Sequence, residues 1–152
     1  MQESFGHHES FDKEIRSESA YAPDRIFFLC FQEEAVGTAA AMYRPEWGQS
    51  LGYLHFLAVL PAYSGKGLGA QISLRALLKM REEGRVGAVL ETADFRVAAI
   101  KTYLNLGFEP LLVHSDQRTR WRRIFSSLGT PELEMRFRDR LQGPICIMTR
   151  KR

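Results

Sequence analysis

Cysteine is scarce in this chain, and its two copies, Cys30 and Cys146, sit in apolar runs without metal-ligand spacing to each other or to a histidine. That speaks against a cysteine-based zinc site and favours two buried free thiols in a reducing compartment over a disulfide. Long apolar runs are missing too. Nothing approaches the roughly 18 consecutive apolar residues of a membrane helix. The first ten residues are polar and acidic, without the basic and apolar parts of a secretory leader. The expectation is a cytoplasmic protein without membrane contact. His7, His8 and His114 form no metal set, so no metal is expected. No repeat, low-complexity tract or linker divides the 152 residues, which read as a single domain over 1–152. The hydrophobic share of 45% and charged share of 26% suit an ordinary globular core.

The net charge of +3 is small but unevenly spread. Arginines crowd the last third, above all Arg118, Arg120, Arg122 and Arg123, and the rest of the chain is slightly acidic. Such a basic region suits an anionic ligand or nucleic acid, although an arginine run is more often the solvated face of a helix.

Apolar patterning predicts strands over 26–31, 36–43 and 52–59, the first two forming a hairpin around Glu33 and Glu34. A helix is predicted over 67–83, with an apolar stripe of Leu68, Ile72, Leu74, Leu77, Leu78 and Met80 and with Gly84 as its cap. A short strand over 88–92, a helix over 98–105 ended by Gly107, a strand over 108–113, a basic helix over 116–128 and an edge strand over 145–148 follow. Phe5, Phe11 and Ile15 are spaced for a short helix ahead of them all. Strands first, then alternating helices and strands, define a mixed α/β fold on one sheet.

The stretch from Tyr53 to Gly69 is the most informative. A strand runs through Pro61 into Ser64, Gly65, Lys66, Gly67, Leu68 and Gly69, which open the long helix. N–H groups at a helix start, together with the positive end of its dipole, form an anion site. Glycines remove the side chains that would hold a phosphate away from them. The bland alternative is a tight turn with close helix–strand packing. Lys66 is followed by glycine rather than Ser or Thr, so this is no P-loop, and a dinucleotide fingerprint counted from Gly67 and Gly69 has Ile72 in place of its last glycine.

Ser64 to Gly69 resembles the acetyl-CoA motif of the GNAT acetyltransferase superfamily, Q/R-x-x-G-x-G/A after an apolar strand. It fits at both glycines and departs at Ser64. Residues 94–108, with Tyr103 on the helix and Gly107-Phe108 after it, resemble the family's next motif. Together the two cover roughly residues 26–113. The resemblance implies a mostly antiparallel GNAT-like sheet flanked by helices, with a shortened N-terminal part ahead of Ile26. It implies acetyl-CoA as cosubstrate, held by Leu57, Ala58 and Val59 on the splayed strand, by Ser64, Gly65, Lys66, Gly67, Leu68, Gly69 and Ala70, and by Ala99. The short N-terminal part implies an acceptor pocket that is open or is completed by the C-terminal segment or by a second copy, the last of which makes a homodimer one of the alternatives.

Transfer of an acyl group to an amine needs a proton acceptor, because such amines are cations near neutrality. The resemblance assigns Tyr103 to protonate the leaving thiolate and a backbone N–H within 57–59 to polarise the thioester carbonyl. His55, on a strand similar to that of arylalkylamine N-acetyltransferases, is the first choice of base. Glu91 and a water chain are the others. Each has a plain structural counterpart: a packed aromatic for Tyr103, a hydrogen-bonded core histidine for His55. The expected function is transfer of acetyl from acetyl-CoA to a primary amine of a small molecule or protein. A CoA-binding sensor without catalysis and an RNA-binding domain are the alternatives.

Overall fold

The computed structural model describes Lys13, Arg16 and residues 20–146. The helix expected around Phe5, Phe11 and Ile15, and the end of the strand expected over 145–148, lie outside these residues. The chain divides into two compact units, Met1–Glu91 and Thr92–Arg152.

The first unit is a four-stranded sheet in the order β1-β2-β3-β4, formed by β1 (Ile26–Phe31), β2 (Glu34–Met42), β3 (Leu51–Val59) and β4 (Gly87–Val89). The first two pairings are antiparallel and the last is parallel. Gln32 and Glu33 close the β1–β2 hairpin with φ of 48° and 68°, the left-handed pair a two-residue hairpin loop favours. The turn therefore falls one residue earlier than the sequence pattern implied.

Helix α1 (Leu68–Glu82) packs across all four strands. Its buried residues are Ile72, Ser73, Ala76 and Met80, while Leu74 and Leu78 are about half exposed. The apolar stripe read from the sequence is thus rotated. Where α1 packs against it, β2 carries the small residues Gly37, Ala39, Ala40 and Ala41, which let helix and sheet approach closely. Gly52 makes the point on β3: a Cβ there would lie 2.3 Å from Met80 Sδ. Gly52→Ala is expected to lower stability by about 1–3 kcal/mol, as overpacked cores do, read from a shift in the urea midpoint. The opposite face buries Ala40, Met42, Tyr53 and Phe56, with Tyr21, Trp47 and Val89 around them.

A charged clasp joins the start of the sheet to the end of α1. Arg25 Nε donates to Glu83 Oε1 at 2.9 Å, and Lys79 pairs with both Glu83 and Asp24. Burial alone would raise the Glu83 pKa, but hydrogen bonding and charge from Arg25 and Lys79 outweigh it and hold the carboxyl below its ordinary value. The Lys79 hydrogen bond lowers Asp24 likewise. Both carboxylates therefore contribute stability above the unfolded carboxylate pKa of about 4, and that contribution is lost as pH falls through their depressed folded values. Melting scans from pH 7 to pH 3 are expected to show Tm falling below about pH 4, with a shallower fall in Glu83→Gln.

The second unit holds α2 (Val97–Asn105), α3 (Gln117–Leu128), α4 (Pro131–Arg136) and α5 (Arg138–Gln142) around Ile100, Leu104, Leu112, Ile124, Phe125, Phe137 and Leu141. No strand forms over 108–113: Pro110 lacks an N–H, and among the described residues this stretch has one backbone bond to the chain beyond the helices, from Cys146 N–H to Leu112 O at 2.7 Å. Ile145 and Cys146 are likewise not a strand. Both cysteines are free and exposed rather than buried. Cys30 lies just past a bulge on the sheet's edge strand, and Cys146 lies beyond the last helix.

Candidate active site

Strand β3 is irregular where it leads into the glycine turn. Against β2, Thr38 faces Ala58 but Ala40 faces His55, so three steps on β3 match two on β2. The extra residue is a bulge, and Phe56 within it has φ 48°. A bulky side chain in the left-handed region is disfavoured by about 1–2 kcal/mol and is held there by its surroundings; Phe56 is buried. A bulge bends the strand and re-aims the backbone beyond it, here Leu57, Ala58 and Val59. The ladder between β3 and β4 ends at Tyr53↔Val89, although β3 runs on to Val59. The two strands part where the bulge begins. No residue-type signal marks this feature, since a strand-forming phenylalanine occupies the strained position.

The chain then turns through Pro61–Tyr63 into α1. Gly65 and Gly67 have φ of 75° and 74°, and no atom lies within 4 Å of where either Cβ would stand. Gly67 is the N-cap and supplies no side-chain cap. The first helix donor with an internal acceptor is Gln71 N–H, to Gly67 O at 3.2 Å. The donors of Leu68, Gly69 and Ala70 precede it at the positive end of a helix of 15 residues. Ser64 and Lys66 are exposed beside them. An open, donor-lined turn that glycine alone adopts without strain fits a pyrophosphate.

Among the other residues singled out from sequence, His55 is half-buried, its ring 5.0 Å from that of Tyr53 and 4.0 Å from that of Phe56. Glu91, just after β4, accepts from the buried Tyr53 hydroxyl at 3.0 Å and from Arg44 at 3.2 Å. This cluster, which sequence reasoning left as a single residue, fixes the Glu91 carboxylate in the first unit. Tyr103 and Ala99 lie half-buried on α2 in the second unit. The Tyr103 ring meets Phe108 edge-on at 6.1 Å. Burial pushes its phenol above the ordinary value, and the opposing charge of Arg96 does not cancel this. Tyr103 therefore carries its proton throughout the neutral range.

The arginine-rich helix is tied down within its own unit. Arg118 donates to Leu141 O and Gly143 O, Arg120 grips both oxygens of Asp94 at 2.7 Å, and Arg122 pairs with Glu134. These three side chains join α3 to its neighbours. Among the described residues no three His, Cys, Asp or Glu side chains converge as a metal set. No helix of the described residues is long and apolar enough to cross a membrane.

A bulged strand that parts from its parallel neighbour and ends in an open anion cradle defines the class: an α/β domain with an anion site at the start of its long helix. The model of the acetyltransferase (GNAT) family matches residues 1–108, and the chain belongs to that family. It is 34% identical over 95 residues to a mycothiol acetyltransferase of Mycolicibacterium gilvum, covering 59% of this chain and 31% of that protein. A mycothiol acetyltransferase of Nocardia farcinica is 38% identical over 98 residues, covering 62% and 32%. The chain thus spans about a third of the length of these curated relatives. The solved structure of AAC(6')-Iy with a CoA-linked bisubstrate analogue shares the fold, with TM-score 0.57 at 20% identity over 72% of this chain and 79% of that one.

Proposed function

We propose that this chain transfers the acetyl group of acetyl-CoA directly to a primary amine. The observation that carries this reading is β3 itself: bulged at Phe56, parted from β4 beyond Tyr53, and continued into the open Gly65–Gly67 turn. Acetyl-CoA supplies the activated acetyl group. The N–H groups from Gly65 to Ala70 hold its pyrophosphate, helped by Lys66, and Ser64 borders them. Leu57, Ala58 and Val59 line the thioester arm, and an N–H among them polarises the carbonyl. Ala99 is a further cofactor contact. His55 accepts the amine's proton, and Tyr103, kept protonated by burial, delivers one to the departing sulfur. The roles of Ala99 and Tyr103 rest on the family motif around them. On this reading both units serve one cytoplasmic acetyltransferase domain.

The curated relatives are named for a small-molecule acceptor, so small amines lead the screen and protein N-termini and lysines follow. Ser64 in the place of Gln or Arg favours a second reading, a CoA-binding sensor without turnover. Incubation with acetyl-CoA and an amine panel separates them by release of free thiol. Amine-dependent release supports the enzyme. Tight binding of acetyl-CoA without release across the panel supports the sensor.

A further inference from the structure

Helix α2 is nine residues long, and in an α-helix each N–H bonds the carbonyl four residues earlier. The acceptors for residues 101–104 are therefore the carbonyls of Val97, Ala98, Ala99 and Ile100, all in the first turn. Tyr103 is bonded to Ala99 in this way. The Thr102 hydroxyl adds a further bond to the same turn, donated to Ala98 O at 3.1 Å. A helix this short is marginal by itself, so whatever holds its first turn also holds Tyr103.

The far end of α2 is well secured. Phe108 N–H returns to Tyr103 O at 3.0 Å and Gly107 N–H to Leu104 O at 3.2 Å, and Ile100 and Leu104 are buried in the core of the second unit. The first turn lacks the usual anchors. Arg96, its N-cap, supplies no side-chain cap, and no acidic residue stands in the turn to meet the helix dipole. The chain just ahead takes their place: Arg96 N–H donates to Ala93 O at 3.0 Å, closing a turn through Asp94 and Phe95. Arg120 of α3 grips that turn, donating from Nε to Asp94 Oδ2 and from Nη2 to Oδ1, both at 2.7 Å. Its Nη1 reaches Asp116 Oδ2 at 3.4 Å, so the guanidinium is steadied from its own helix. Two parallel bonds between planar groups fix orientation as well as distance. Hydrogen bonding from Arg120 holds the Asp94 carboxyl below its ordinary value, which keeps it ionised throughout the neutral range. The side chains are 39% and 43% exposed, and such pairs contribute little to global stability. The effect of the grip is local.

Resting on Tyr103 as the proton donor, we propose that Arg120 is a positioning residue for acetyl transfer. Its two-point grip on Asp94 holds the first turn of α2, and through the helix it places the Tyr103 hydroxyl. Displacing a reacting group by about 1 Å costs about a hundredfold in rate, so a loosened turn is felt in kcat. The phosphate cradle belongs to the first unit and keeps its hold on acetyl-CoA.

Arg120→Met is expected to lower kcat about tenfold or more, with acetyl-CoA affinity by calorimetry changed by about threefold or less. Arg120→Lys keeps the charge but loses the fork, and is expected to fall nearly as far. In Tyr103→Phe, where no proton is left to misplace, adding Arg120→Met should lower kcat by about twofold or less. A loss through stability alone would be equal in the two backgrounds. Amide hydrogen exchange gives a readout independent of turnover: residues 101–104 are expected to exchange about tenfold faster in Arg120→Met, with Ile124 and Phe125 unchanged. Unchanged exchange along α2, or equal losses of kcat in the two backgrounds, overturns the assignment and leaves the role of Tyr103 standing. If Tyr103→Phe turns over like its parent, or the unaltered protein acetylates no amine, the proton role falls and takes this one with it.

Discussion

Gly67→Glu is expected to abolish acetyl-CoA binding while leaving the protein folded. Two effects act together. The N-cap has φ 74°, so any side chain there carries the left-handed penalty of about 1–2 kcal/mol, yet no atom stands near enough to clash. The strain is thus local and modest. The new carboxylate, however, enters the space the donors of Leu68, Gly69 and Ala70 face, where it opposes a pyrophosphate and competes for its hydrogen bonds. Affinity is expected to fall about a hundredfold or more, which corresponds to about 2.7 kcal/mol. Gly67→Ala separates the contributions, since it adds the strain without the charge. It should retain binding weakened by about tenfold or less. A Gly67→Glu protein that melts like its parent and binds acetyl-CoA equally well would remove the phosphate role from this turn.

The second large effect is expected at Tyr103. Phe replaces a mostly buried phenol with a ring of nearly the same shape, so packing against Phe108 persists and the fold is unaffected. What goes is the proton. General acids contribute about 10²–10⁴-fold to rate, and kcat of Tyr103→Phe should fall within that range with acetyl-CoA affinity unchanged. The raised pKa sets the sign of the pH dependence: the active form is the neutral phenol, so Tyr103 itself imposes no loss of rate until the pH exceeds its ordinary value near 10. A thiol with a lower pKa leaves more readily without help, so an acyl donor of that kind should recover part of the lost rate. Unchanged kcat in Tyr103→Phe would return the residue to a packing role.

How far the sequence led differs between elements for physical reasons. Strand β3, the glycine turn and the helix after it were legible because a run apolar on both faces, a proline and closely spaced glycines each restrict the backbone. Gly84 ends α1 as read, with φ 80° and Arg85 N–H returning to Met80 O. The face of α1 was not legible. Leu74 and Leu78 fit an apolar stripe, but Gly52 on the sheet admits Met80, and Ile72, Ser73 and Ala76 are buried with it, which is a tertiary choice. The bulge at Phe56 was hidden as well, because nothing in a phenylalanine announces a left-handed φ. Helices α4 and α5 went unread: each is shorter than two turns and owes its place to Phe137 and Leu141 in the core of the second unit. The motif residues of the candidate site were found by resemblance. The Tyr53–Glu91–Arg44 cluster and the grip of Arg120 on Asp94 required the structure.

Calorimetric titration of the unaltered protein with acetyl-CoA tests the central claim most directly. Saturable binding at one site per chain with micromolar affinity is the expected result. A folded protein that gives no binding heat at any temperature tried, and no shift in Tm with millimolar acetyl-CoA, would contradict the account at its foundation.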